Sequence, residues 1–280
     1  MKSITYLLIT QVVLLISSAS VCRAYSVDLT KAKSLPAGWS ASNSNTGKGS
    51  SVSFSDDGMT LQTYSGGWSR QFISAASSSY SLAEVGSSLT FSADFTGQTS
   101  GNLYSFQLGL TTRSNLDTTD NPAAAAGAGG ANVWINYNIA SGELSLLGTA
   151  GTAAATTYAN KLQIGEGGTI PTGTYGFTLT HQASGWISAT IFYTPTAGAT
   201  VTATNTLYQA TNAVFTGYEG ISNLYLSATS DGAGGTNAAV TLSSLSAPGS
   251  LVPEPSAVAA AAGACALLLA FGCRRKAVRS

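Results

Sequence analysis

Few side chains in this 280-residue chain are suited to catalysis. His181 is the only histidine, and it falls beside Leu179 on the apolar face of a predicted strand. Serine is abundant, but no Gly-x-Ser-x-Gly elbow is present to expose one as a nucleophile. We therefore predict a packed histidine at position 181 and no catalytic residues, with a Ser–His–Asp site as the alternative.

Acidic residues are also poorly placed for sugar hydrolysis. A glycoside hydrolase uses two carboxylates, one on each side of the scissile bond. Glu143 lies on a predicted strand, and no other Asp or Glu occurs within twenty positions of it on either side. The sequence therefore predicts a body that is not an enzyme, and an unrecognised glycoside hydrolase is the alternative.

Two short acidic segments could supply oxygen ligands to a metal ion. They are Asp56-Asp57-Gly58 and Asp117-Thr-Thr-Asp120-Asn121. Such residues bind Ca²⁺, but they also form Asx turns between strands, and neither segment matches an EF-hand loop. Zinc is not expected with one histidine and no cysteine in the body. We predict no metal site and no cofactor, with Ca²⁺ as the alternative.

The tryptophans Trp39, Trp68, Trp134 and Trp186 are the candidates for sugar contacts. Trp134 alternates onto the polar face of its predicted strand together with Asn132 and Asn136. A flat ring can cover the apolar face of a pyranose, while the indole N–H and the amides reach its hydroxyls. We favour the other interpretation, in which this face is also buried in a two-sheet sandwich and Trp134 fills space there.

Alternation with a period of two dominates the body and predicts half-buried strands. Turn-forming residues such as Asp56-Asp57-Gly58 and Ser184-Gly185 separate these segments. The clearest strands are predicted at 88–95, 104–110, 132–137, 173–182, 186–194 and 239–247, and shorter ones at 50–54, 59–64, 69–73, 142–147, 201–207 and 224–229. No body segment repeats with a helical period, so we predict an all-β, two-sheet sandwich over residues 25–250.

Charge is sparse in the body. Residues 25–251 carry six basic and eleven acidic side chains, a net charge of −5. Without a basic stripe, nucleic acid is not an expected partner. All three cysteines, Cys22, Cys265 and Cys273, lie outside the body, so it cannot contain a disulfide framework.

The last thirty residues have a distinct organisation. Val252, Pro253, Glu254, Pro255 and Ser256 form a motif in which the prolines favour a stiff extended chain. Residues 257–273 carry no charge and are just long enough for a transmembrane helix. Arg274, Arg275, Lys276 and Arg279 form a basic stop-transfer cluster in a predicted cytoplasmic tail, residues 274–280.

This combination resembles the PEP-CTERM sorting signal of exported bacterial proteins. The resemblance implies handling by an exosortase, a membrane transpeptidase, in a Gram-negative cell that makes exopolysaccharide. A proline-rich linker before an ordinary tail anchor is the alternative. We expect an inner-membrane intermediate with its body in the periplasm, followed by delivery to the cell surface or extracellular matrix.

Residues 1–24 have the pattern of a secretory signal peptide. Lys2 precedes an apolar stretch, and Cys22-Arg23-Ala24 places small residues at the −3 and −1 positions. Cleavage between Ala24 and Tyr25 is therefore predicted, and a lipoprotein signal cut at Cys22 is the alternative. Passage through the secretion translocon follows from either reading.

The hairpin predicted over residues 173–194, with the closing strand 239–247, resembles part of a concanavalin A-like (laminin G-like) jelly roll. That resemblance implies a jelly-roll sandwich body, for which we predict a structural or adhesive role. A dedicated carbohydrate-binding module for extracellular polysaccharide, using Trp134, is the alternative.

Overall fold

The computed structural model describes residues 25–36, 39–43, 51–63, 68–80, 82, 85–99, 103–111, 132–149, 156–209, 221–231 and 238–247. Residues 1–24 and 248–280 lie outside this set, so the predicted signal peptide, sorting motif, transmembrane helix and basic tail do as well. Within the described residues, no helix is long and apolar enough to span a membrane.

Regular structure in the described residues consists of sixteen strands. They are β1 (Tyr25–Asp28), β2 (Trp39–Asn43), β3 (Ser51–Ser55), β4 (Gly58–Gln62), β5 (Trp68–Tyr80), β6 (Ser88–Thr99), β7 (Leu103–Thr111), β8 (Asn132–Asn138), β9 (Glu143–Thr149), β10 (Thr156–Thr157), β11 (Leu162–Gln163), β12 (Gly173–His181), β13 (Trp186–Pro195), β14 (Val201–Gln209), β15 (Ile221–Asp231) and β16 (Ala239–Ala247). The predicted all-β class is confirmed.

These strands form two sheets of eight. The first sheet has the order β14-β13-β12-β6-β16-β4-β3, and β1 also pairs with β16. The second sheet has the order β10-β9-β8-β7-β15-β5-β2, and β11 also pairs with β9. The pairs of β6 with β12 and of β7 with β8, like the other strand pairs in the described residues, are antiparallel. Because successive side chains of a strand point to opposite faces, one face of each sheet can pack on the other sheet while the second face points outwards. The predicted two-sheet sandwich is confirmed.

The core lies between the sheets and is built by the alternation seen in the sequence. Phe91 and Phe95 of β6 and Tyr175 of β12 are buried on the inner face of the first sheet. Phe106 of β7 meets them from the second sheet, with its ring centroid 4.1 Å from that of Phe95 and nearly perpendicular to it. Edge-to-face packing of this kind adds to the stabilisation from buried area, and it joins the two layers.

The two ends of the body lie side by side. In β1, Tyr25 pairs with Ala247, and Asp28 pairs with Ser244. Leu29, the next residue, is fully buried, and its N–H donates to the carbonyl of Ser243 at 2.8 Å. The described fold therefore begins and ends on one pair of neighbouring strands. In the sequence, the predicted cleavage site comes directly before β1, and the Pro-Glu-Pro segment follows β16 within a few residues.

Candidate functional site

His181 is a packed residue, as predicted. Its side chain is buried at the end of β12, and its Nδ1 lies 2.8 Å from the carbonyl oxygen of Leu82. The backbone N–H of His181 donates to the carbonyl of Ser87. These contacts fix the segment before β6 against the end of β12, which is a structural role.

In the acidic segment Asp56-Asp57-Gly58, the two aspartates form the turn between β3 and β4, and Gly58 begins β4. Asp56 accepts a hydrogen bond from the Lys33 Nζ at 3.0 Å, and the Asp57 N–H donates to the Ser55 hydroxyl. No cluster of three or more His, Cys, Asp or Glu side chains suited to a metal ion occurs in the part of the chain that the structure describes. Asp117 and Asp120 lie outside that part.

Glu143, the candidate for acid–base chemistry, begins β9. Its carboxylate lies 3.3 Å from the Lys161 Nζ and 3.4 Å from the Ser141 hydroxyl. Both partners of the ion pair are about one-third exposed. A surface pair of this kind contributes only about 0–1 kcal/mol to folding, and the recorded contacts of Glu143 are those of a strand-end ion pair.

Trp134 lies on the outer face of the second sheet, as the alternation predicted. Its neighbours Val133 and Ile135 belong to the core between the sheets, whereas Trp134 does not. In register, it lies between Gly109 of β7 and Leu147 of β9. The side chain is fully buried, which agrees with the favoured interpretation of the sequence, a covered face on which Trp134 fills space, and not with an exposed sugar platform. The alternation of a strand assigns a face, but it carries no information about what covers that face.

The indole N–H of Trp134 has no hydrogen-bond partner among the described residues. A buried donor left without an acceptor costs about 1–3 kcal/mol. Trp39 also has an unpartnered indole N–H, but its ring belongs to the core between the sheets. Trp134 is therefore the tryptophan that combines an outer-face position with an unsatisfied donor.

Polar side chains surround Trp134 on the same face. The Gln107 Nε2 donates to the Asn136 Oδ1 at 3.1 Å, and the Ser145 hydroxyl donates to the Asn136 carbonyl at 3.3 Å. Gln107, Ser145 and Ser105 are buried, while Asn136 is partly exposed. Asn132 pairs in register with Thr111 of β7 and Thr149 of β9. The structure thus brings Trp134 and Asn136 together with two groups that the sequence analysis did not single out, Gln107 and Ser145.

Trp186 occupies a different surface. It begins β13 in the first sheet, and its side chain is 38% exposed. Trp68 begins β5 in the second sheet and pairs with Asp231. Among the described tryptophan side chains, Trp186 therefore lies on a different sheet from Trp39 and Trp134.

Three tyrosines of the core hold the segment 169–172 across one end of the sandwich. The Tyr137, Tyr175 and Tyr193 hydroxyls donate to the carbonyls of Thr169, Pro171 and Thr172, at 2.9, 2.6 and 2.9 Å. Burial raises the pKa of all three phenols, that of Tyr175 most strongly, and Tyr193 adds to the rise at Tyr137 and Tyr175. These hydroxyls stay neutral at physiological pH and act as structural donors.

Comparison with solved structures identifies the fold. The chain is similar to the carbohydrate recognition domain of Emp46p in its metal-free form, with a TM-score of 0.52 and 10% identity over 80% of this chain and 95% of that one. It is similar to an endo-1,3-β-glucanase from Streptomyces sioyaensis, with a TM-score of 0.51 and 14% identity over 80% and 94% of the two chains. No protein-family profile and no curated protein sequence matches the chain. At these identities the likeness shows the fold alone, a jelly-roll β-sandwich, which agrees with the predicted concanavalin A-like body.

Proposed function

We propose that this protein is an exported, non-enzymatic surface or matrix protein whose β-sandwich binds extracellular polysaccharide at the outer face of β7, β8 and β9. The observation that carries the proposal is the buried indole N–H of Trp134, which lacks an acceptor among the described residues. A sugar hydroxyl is an acceptor of suitable chemistry. The cost of the unsatisfied donor would be offset when the ligand is bound.

The neighbouring amides give this face a way to recognise hydroxyl groups. Asn136 is partly exposed, and it lies two residues from Trp134 on the same side of β8, a separation of roughly 7 Å. The Asn136 Oδ1 accepts a hydrogen bond from the Gln107 Nε2, and the Asn136 Nδ2 group carries two donors that suit sugar hydroxyls. Because the indole is closed to water in the ligand-free fold, contact with it requires a local opening above β8.

The fold is consistent with polysaccharide binding, but it does not by itself establish that function. Jelly-roll sandwiches serve both as recognition domains and as glucanases, so the fold alone does not separate binding from hydrolysis. Glu143 pairs with Lys161, and its recorded contacts include no second carboxylate. We therefore propose binding rather than cleavage.

We also propose that residues 251–280 act as a PEP-CTERM sorting signal read by an exosortase, after passage of the chain through the translocon. The support is the sequence order of the Val252–Ser256 motif, an uncharged stretch and a basic cluster. The last strand, β16, ends at Ala247, so the motif follows the fold within a few residues. A membrane-tethered intermediate would then hold the folded body close to the membrane before its release.

Binding to a panel of neutral and acidic polysaccharides, including the exopolysaccharide of the host, tests the first proposal. We expect Trp134→Phe to weaken binding about three- to tenfold, because it keeps a ring but removes the N–H donor. Trp186→Phe, on the other sheet, is the matched control and should bind like the wild type. Equal binding by the wild type and both variants would exclude the Trp134 face.

A further inference from the structure

We propose a second polysaccharide-binding surface on the outer face of the first sheet, centred on Phe192, which would make the body bivalent. The surface, here called the threonine face, consists of Phe192, Thr90, Thr178, Thr190 and Thr204. The proposal of a second site stands on its own observations, whereas bivalency also rests on the proposed Trp134 site.

The Phe192 ring lies on the outer face of the first sheet and not in the core between the two sheets. On β13 it is flanked by Ile191 and Tyr193, which point inwards and are buried, whereas Phe192 is partly exposed. Its register partner on β12 is Gly176. A Cβ atom added to Gly176 would lie 2.3 Å from the Phe192 Cζ and 2.8 Å from its Cε1. The ring therefore covers the glycine backbone and forms an apolar platform over two strands.

A row of four threonines runs beside this ring. Thr90, Thr178, Thr190 and Thr204 are direct register partners on the neighbouring strands β6, β12, β13 and β14. The Thr90 and Thr178 hydroxyls are 2.9 Å apart, and those of Thr190 and Thr204 are 2.8 Å apart. With strands about 4.8 Å apart, the row is roughly 14 Å long, which is more than the width of one sugar ring.

The hydrogen-bonding capacity of these pairs suits a sugar. Two hydroxyls contain two hydrogens and four lone pairs. One hydrogen bond within the pair uses one hydrogen and one lone pair, so each pair can still donate once and accept several times. Sugar hydroxyls also both donate and accept, and an apolar ring beside such groups matches the mixed surface of a hexose.

The charges on and near the threonine face favour a neutral polysaccharide as its ligand. The five residues of the threonine face are uncharged. Asp94, on the same face of β6, accepts hydrogen bonds from the hydroxyls of Thr174 and Ser244 at 2.5 and 2.6 Å. An acidic polymer would find no cation on the threonine face and would meet the Asp94 carboxylate beside it. A neutral glycan meets no such penalty.

The test is affinity electrophoresis of the full chain, in mild non-ionic detergent, through gels that contain neutral β-glucan, galactomannan, the host exopolysaccharide or acidic alginate. We expect retardation by a neutral polymer. Phe192→Ala should weaken it about three- to tenfold, as expected for the loss of one aromatic contact. The double variant Thr190→Val/Thr204→Val should also weaken it, and it removes both members of a hydrogen-bonded pair, a change that is nearly neutral for folding. Thermal melts should confirm that both proteins are folded.

The variants separate the two sites. If Trp134→Phe weakens binding and both threonine-face variants bind like the wild type, the second site is excluded and the first one stands. If the threonine-face variants weaken binding and Trp134→Phe does not, the proposed function fails at Trp134 while the second site stands. Retardation by alginate alone, or by no polymer, would overturn the threonine face. So would a dimer in sedimentation analysis that Phe192→Ala dissociates, because the face would then be an interface between copies of the chain.

Bivalency has its own readout. Wild-type protein should cross-link the neutral polymer and raise the turbidity or viscosity of its solution. Trp134→Phe and Phe192→Ala, each with one of the two sites weakened, should cross-link the polymer less than the wild type does. Undiminished cross-linking by Phe192→Ala would contradict the bivalent arrangement.

Discussion

Asn160 and Asn205 join the two sheets along one edge of the sandwich. The Asn205 Oδ1 accepts from the backbone N–H of Asn160, and the Asn205 Nδ2 donates to the Asn160 carbonyl, both at 3.0 Å. Asn205 lies on β14 of the first sheet, while Asn160 lies two residues before the start of β11 of the second. Asn160 also donates from its own side chain to the Thr204 carbonyl. The edge strand β14 is thereby covered in part by a neighbouring segment.

Removal of this link should destabilise the body. Asn205 is buried, so Asn205→Ala deletes two hydrogen bonds and leaves the N–H and C=O of Asn160 to find new partners. We expect a loss of about 1–3 kcal/mol in the free energy of unfolding, measured by denaturant titration. Thr206→Ala, one residue away and exposed, should change it by less than about 0.5 kcal/mol. Equal stability of the two variants would show that the hydrogen bonds between Asn160 and Asn205 do not stabilise the body.

The buried tyrosines should make the fold sensitive to high pH. Burial raises the pKa of Tyr137, Tyr175 and Tyr193 above the ordinary value of about 10. Above about pH 10 the unfolded chain releases these protons while the folded protein keeps them, so the free energy of unfolding falls as pH rises. The stabilising contribution is complete below that pH.

Tyrosinate absorbance measured alongside circular dichroism checks this linkage. Three tyrosines should ionise only as the protein unfolds. Tyr175→Phe, which cannot ionise, should show a shallower loss of stability between about pH 9 and pH 11. Ionisation of every tyrosine near pH 10 in a protein that remains folded would be inconsistent with the buried hydroxyls.

Glu143 provides the test of the non-enzymatic proposal. We expect no release of reducing sugar from any polysaccharide that the protein binds. Glu143→Gln should leave binding unchanged, and it should alter stability by no more than about 1 kcal/mol because the ion pair with Lys161 is partly exposed. Sugar release by the wild type that disappears in Glu143→Gln would instead establish a hydrolase.

The sorting proposal predicts the C-terminus of the mature protein. Mass spectrometry of protein isolated from its own host should find a terminal peptide that ends within residues 252–256. Recovery of an intact tail that contains Arg274 and Arg279 would mean that the segment is a plain membrane anchor. The same experiment locates the N-terminus, which we expect at Tyr25.

The sequence predicted where the long strands lie, because alternation directly reflects the two-sided environment of a sheet, but the predicted bounds 69–73 and 224–229 are much shorter than the observed β5 and β15. The hairpin predicted over residues 173–182 and 186–194 is observed as β12 and β13, and β16 has the predicted bounds of 239–247. The short strands β1, β2, β10 and β11 were missed. Segments of two to five residues show too little alternation and form only because a neighbouring strand offers backbone partners.

The sites were harder to predict because they depend on the exact pairing of the strands and on which residues cover each face of a sheet. Alternation placed Trp134 on the correct face, but it could not show that the ring is buried. The position of Phe192 over Gly176 requires the pairing of β12 with β13 to be known to the residue. The link from Asn160 to Asn205 spans 45 positions and has no local signature. The predicted sorting residues and signal peptide lie outside the described residues, and they remain predictions.

The most direct test of the account is an NMR titration of the tryptophan indole N–H resonances with an oligosaccharide from a polymer that the protein binds. We predict that the Trp134 resonance shifts as the oligosaccharide saturates the protein, while the resonances of Trp39 and Trp186 do not shift. Assignment follows from the loss of one resonance in each Trp→Phe variant. If the Trp134 resonance does not shift at saturating oligosaccharide, sugar does not bind at the outer face of β8 and the proposed function is wrong.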